Sequence, residues 1–86
     1  KSLELALVRL TQKMPESPES WYDLAGVQAS DGSRIKETWM TLAKALSLDK
    51  LRRSNNAAAD NLYERVQGDP RFAEIRLLPE YKSWQP

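Results

Sequence analysis

Apolar residues recur every three or four positions through most of this chain, and prolines and glycines cut the rhythm into short segments. That period marks helices that bury one face, and no alternating β-branched stretch competes with it. The expected fold class is therefore all-α, built from antiparallel helical hairpins. Ser2 to Met14 sets Leu3, Ala6, Leu7, Leu10 and Met14 on one face, widened by Leu5 and Val8. Pro15 ends this helix by pushing the residue before it out of the α region. Ser17-Pro18-Glu19 opens the next: Ser17 as a side-chain cap, Pro18 at the first helical position, Glu19 near the positive end of the dipole. Its stripe is Trp21, Leu24, Ala25 and Gln28, as far as about Ser30.

After Asp31-Gly32, Ser33 is the expected cap of a third helix reaching about Leu48, with Ile35, Trp39, Leu42, Ala43 and Leu46 inward. Arg52 to Asn56 is polar and aperiodic, and reads as a loop. Ala57, Ala58, Leu62 and Val66, helped by Tyr63, define a fourth helix ending at Gln67-Gly68. Asp69-Pro70 caps a shorter fifth with Phe72 and Ile75, and beyond Pro79 a final turn packs Tyr81 and Trp84. Connections this short make successive helices antiparallel neighbours.

Composition removes whole classes of chemistry. The 86 residues hold no Cys and no His, which excludes thiolate metal sites, disulfides, His-ligated zinc and Ser-His-Asp triads. Thirteen Lys and Arg against twelve Asp and Glu leave a net charge of +1, unlike a general polyanion binder. Nucleic acid is thereby disfavoured as a partner. No apolar run approaches the ~20 residues of a membrane span, and no signal-peptide pattern is present. A cytoplasmic setting is the default expectation. The chain opens at Lys1 already inside a helical pattern, as expected of a piece of a longer protein whose targeting segments would be out of view. The expectation is a non-enzymatic segment without cofactor or metal.

Met14-Pro15-Glu16-Ser17-Pro18-Glu19-Ser20-Trp21 resembles the junction between consecutive tetratricopeptide (TPR) repeats, where a helix ends at proline and the next begins before a large aromatic. Trp21, Leu24 and Ala25 match the opening W-x2-L-G of that pattern, with Ala in place of Gly. Ala45-Leu46-Ser47-Leu48-Asp49 resembles its closing segment. Gln28, Thr38 and Lys50 depart from it. The resemblance implies a TPR-like right-handed α-solenoid fragment: residues 1–15 as the second helix of a preceding repeat, 19–49 as a complete repeat, 54–86 as a degenerate or capping one. It further implies a concave groove lined by Glu19, Tyr22, Gly26 and Ala29, open to a protein or peptide partner. The carboxylate clamp by which one subfamily grips chaperone tails has no basic pair here.

Trp21 and Trp39 sit on the apolar stripes and are expected to pack in the core. Lys50, Arg52 and Arg53 form a local basic cluster, either a patch for phosphates or acidic partners or a solvated face near a helix C-terminus. Three functions follow, each with its own signature. A peptide-binding scaffold predicts an open patch around Tyr22. An accessory domain packed against the rest of its parent chain, a larger enzyme or membrane protein, predicts an exposed apolar flank on the first helix. An RNA- or ribosome-associated domain predicts a contiguous positive surface.

Overall fold

Prolines and capping residues divide the chain much as its sequence predicts. The computed structural model describes residues 2–56 and 61–84. Among these residues five α-helices follow one another: α1 (Ser2–Lys13), α2 (Pro18–Ala29), α3 (Ile35–Asn55), α4 (Leu62–Gly68) and α5 (Pro79–Ser83). Short 3-10 turns at Gly32–Arg34, Pro70–Phe72 and Ile75–Leu77 link them, and there is no strand among the described residues. The protein is all-helical. Ala57 and Ala58, assigned above to the fourth helix, lie outside the described residues.

Four local details differ from expectation. Ser17 occupies the N-cap of α2 in extended conformation, but its side chain makes no capping hydrogen bond; Pro18 at N1 leaves one fewer N–H to satisfy. Ser33 does not cap the third helix, because Asp31 caps the preceding 3-10 turn and accepts from both the Ser33 amide (3.1 Å) and its hydroxyl (2.7 Å). α3 runs a further seven residues past Leu48. No Pro or Gly interrupts it, and Arg52 and Arg53 on the added turns pair with Asp49 one turn back. The predicted fifth helix is instead two separate 3-10 turns. Asp69 caps the first as expected, its carboxylate accepting from the Arg71 amide at 3.0 Å.

Two long-range ion pairs fix the hairpin order. Arg34, just before α3, grips Glu4 near the start of α1 at 2.6 and 2.7 Å. Arg52 near the end of α3 reaches Glu19 at the start of α2 at 2.6 Å. The first places the beginning of α1 beside the end of α2, and the second places the end of α3 beside the beginning of α2. Successive helices are therefore antiparallel. α2 is the central element, packed between α1 and α3.

The C-terminal segment then folds back. α4 lies on α3, Pro70–Phe72 lies on α2, and Ile75–Leu77 meets both α3 and α5. The core formed this way comprises Tyr22 and Ala25 from α2, Leu42, Ala45 and Leu46 from α3, and Leu62, Val66, Phe72, Ile75 and Tyr81 from the C-terminal half. No described side chain of α1 belongs to it. Trp21 and Trp39 are only half-buried, packed on its rim. Both pack against the core, at its edge rather than its centre: Trp21 turns its indole N–H out to the Pro15 carbonyl (3.0 Å), and the neighbouring Tyr22 takes the interior.

Candidate interaction faces

Tyr22 marks the first face. It lies one residue after Trp21 and so about 100° round α2, where the resemblance implied an open groove. The structure covers that face with the chain's own Asp69–Phe72 segment. Tyr22 is 1% exposed, its ring meets Phe72 edge-on at 5.4 Å, and its hydroxyl donates to Asp69 Oδ2 at 2.9 Å. Arg65 and Arg71 place guanidinium groups 5.0 and 5.8 Å from the ring centre. Burial, reinforced by the Asp69 carboxylate, pushes the Tyr22 phenol up to about 12. The Arg71 guanidinium in turn holds Asp69 down at about 2, against the cost of burial.

Gly26 follows one turn later and explains itself. A Cβ there would fall within 2.6 Å of the Arg71 guanidinium carbon, so the missing side chain is the seat of Arg71. Ala29 borders a cavity of about 10 Å³ with Ile35, Arg71 and Ile75, too small for more than one water. Glu19, at the near end of the same face, is engaged by Arg52. Of the four residues assigned to a groove, Tyr22 and Gly26 are thus buried under the C-terminal segment. The face is filled because the Asp69-Pro70-Arg71-Phe72 stretch supplies an acceptor for the hydroxyl, a ring for the ring and a flat cation for the gap over glycine.

The basic cluster is mostly neutralised within the fold. Asp49 is 0% exposed and accepts from Arg52 (2.8 Å), from Arg53 (2.9 Å) and from the Leu62 amide that starts α4 (3.1 Å). Arg52 also holds Glu19. Arg52 and Arg53 lie in the last turn of α3, at the helix C-terminus as the second alternative has it, but as half-buried partners of Asp49 rather than a solvated face. Lys50 is exposed and likewise has an interaction partner. A buried carboxylate within one turn of two arginines is the reason, since such a charge persists in the interior only when paired.

α1 presents the contrasting surface. The stripe read as its inner face is turned largely away from the fold. Leu3 is 60% and Met14 51% exposed, Ala6 is exposed, and Leu7 and Leu10 are half-buried. Burial on the helix centres instead on Thr11, the one buried side chain described there, with Glu4, Leu7, Val8 and Leu10 half-buried around it. Thr11 lies about 80° round from Leu3 at 100° per residue. The packing contact is thus rotated by roughly a quarter-turn from the apolar stripe. Glu4 sets that rotation, because its carboxylate must face Arg34. The sequence held a sign of it: with Leu5 and Val8 added, apolar residues spread beyond the single stripe one packed face requires.

A second partly exposed cluster lies at the C-terminal end. Tyr63 stacks on Tyr81 (6.0 Å) and Trp84 (5.5 Å), and Trp39 meets Tyr81 edge-on at 6.1 Å. These rings fasten α5 and the residues after it onto α3 and α4. Among the described residues no group of acidic side chains is arranged to hold a metal, and no helix is long and apolar enough to cross a membrane. Comparison with protein families, curated proteins and solved structures finds no match to the chain.

Proposed function

We propose that the chain is a non-catalytic packing and scaffolding module, of TPR-like helical-hairpin design, whose contact face is the outer side of α1. The observation that carries this reading is the quarter-turn offset between the apolar stripe of α1 and the face it packs. Leu3, Ala6 and Met14 are exposed and Leu7 and Leu10 half-buried on an edge helix outside the core, so this strip is the apolar surface that the fold leaves available to a second polypeptide element. The TPR-like part of the reading is supported by the antiparallel order of α1, α2 and α3 and by the motif from Trp21 to Asp49. The accessory-domain function fits better than a peptide groove, because the Tyr22 face already has an occupant. It also fits better than an RNA-binding role, because Arg34, Arg52, Arg53 and Arg71 are engaged with Glu4, Glu19, Glu37, Asp49 and Asp69.

Site-specific photo-crosslinking in the native host tests the reading. A photoreactive residue at Leu3 or Met14 should give adducts mapping by mass spectrometry to one segment of apolar helical periodicity. The same group at exposed Ser47 on α3 should not. Equal labelling from all three positions, or none from α1, would remove α1 as the contact face.

A further inference from the structure

The inner side of α1 rests in a seat that stands apart from the core. Gln28 identifies the side of α2 concerned: the Arg34 guanidinium first, and the Gln28 amide after it, hold the Glu4 carboxyl below its usual range. Leu24 and Ser20 precede Gln28 at four-residue spacing, along the same side of the helix. Both are buried, and Leu24 lies outside the core cluster. With α1 antiparallel to α2, the register sets Leu24 by Leu7 and Val8, and Ser20 by Thr11. The seat thus offers one large apolar residue among polar ones. Closing it also has an opposing term, because Gln28 is 3% exposed and its Oε1 meets no donor among the described residues.

The hinge is equally light. Residues 14–17 turn through two hydrogen bonds, the Ser17 amide to the Met14 carbonyl (3.1 Å) and the Trp21 indole to the Pro15 carbonyl (3.0 Å). Met14 and Pro15 are exposed, so water can replace either donor. Pro15 and Pro18 keep α1 from fusing with α2 into one helix, so an opened α1 stays a separate arm. Extended, the four residues reach about 13 Å, farther than the roughly 8–10 Å between packed helix axes.

The donors of the seat specify its occupant. Arg34 offers two N–H groups to the two oxygens of one carboxylate, at 2.6 and 2.7 Å, and Leu24 takes apolar side chains one turn further on. α1 carries that pattern itself, in Glu4 followed by Leu7 and Val8. We infer that the seat also binds α1 of a second copy, so that two chains associate by exchanging first helices, each Glu4 pairing with Arg34 of the other. Every contact made is one the closed chain already makes, which keeps exchange inexpensive. In dilute solution the tether favours closure, since it holds α1 at an effective concentration on the order of millimolar.

Reciprocal charge reversal tests this on the 86-residue chain. Glu4→Arg and Arg34→Glu each set like charges together in the closed form, and mixing the two variants restores opposite charges only in an exchanged pair. Native mass spectrometry of the equimolar mixture should show at least about tenfold more dimer than either variant alone, from two recovered ion pairs. The amides of α1 should regain protection from exchange in both chains. The double variant Glu4→Arg/Arg34→Glu should close on itself and stay monomeric. A mixture that stays monomeric while the double variant closes would overturn exchange and leave α1 bound in cis alone. Dimer at the same level in each single variant would place association elsewhere and overturn it too. An unprotected α1 in the double variant would show that this ion pair does not select the helix. Loss of cooperative melting in the single variants would show that the core needs α1 and that no separable seat exists.

Discussion

Tyr22 and Asp69 lock the C-terminal segment to α2 through one hydrogen bond, and both ends of it titrate outside the ordinary range. Asp69 has its folded pKa depressed to about 2 from 3.8. Its contribution is therefore present above the unfolded value near 4 and lost as pH falls toward 2. Tyr22 has its folded pKa raised to about 12 from 10, so its contribution is intact below 10 and lost as pH rises toward 12. Stability should show a plateau between about pH 4 and 10 with a fall at each end. Tyr22→Phe keeps the ring contact with Phe72 but removes the hydroxyl. It should cost about 1 kcal/mol in urea melts at pH 7 and abolish that residue's share of the alkaline loss. An unchanged alkaline limb would mean that another group sets it. Asp49 is a stronger case at the same scale, since it ties two arginines and the first amide of α4 to one buried carboxylate. Asp49→Ala strips Arg53 and the Leu62 amide of their acceptor, while Arg52 keeps Glu19, and should cost about 2–3 kcal/mol. Chemical denaturation measures it, and a loss under 1 kcal/mol would show that the arginines simply turn to solvent.

Helices were legible as elements, whereas their rotations were only partly so. Pro15, Pro18 and Pro79 act through backbone sterics and therefore set boundaries locally, which is why α1 ends and α2 and α5 begin near their expected positions. Which side of a helix turns inward depends on partners far along the chain. Glu4 turns α1 because Arg34 waits 30 residues on, and Tyr22 displaces Trp21 from the core because Asp69 lies 47 residues on. Periodicity sees neither. The extension of α3 to Asn55 was hidden for the same reason, since its last turns are held by ion pairs to Asp49 and Glu19 rather than by an apolar stripe. As an edge element outside the core, α1 should open at lower free energy than its neighbours. Native-state hydrogen exchange should therefore show the amides of α1 exchanging well before those at the centres of α2 and α3. Equal protection across the three would mean that the Glu4–Arg34 and Trp21–Pro15 contacts join α1 fully to the cooperative unit.

At the scale of the molecule, the question is whether the three-helix layer stands without the segment folded over it. The chain measures 35 × 30 × 17 Å with a radius of gyration of 12.3 Å, close to the ~12 Å expected of a compact domain this size. A domain of this length has about 4–13 kcal/mol of total stability. Phe72 is fully buried between α2 and the C-terminal half, and Phe72→Ala alone should cost about 3–5 kcal/mol. Ending the chain after Gly68 removes Phe72, Ile75 and Tyr81 from the core together and uncovers Tyr22. The loss then meets or exceeds everything available, so the truncated chain should lose its near-ultraviolet circular dichroism and melt without a cooperative transition. The 86-residue chain should show one transition, because the same residues knit both halves into one core. The opposite result would carry its own meaning. A truncated chain that still melts cooperatively would leave the Glu19–Tyr22–Gly26–Ala29 face open, and the C-terminal segment would then be a detachable cover over a groove.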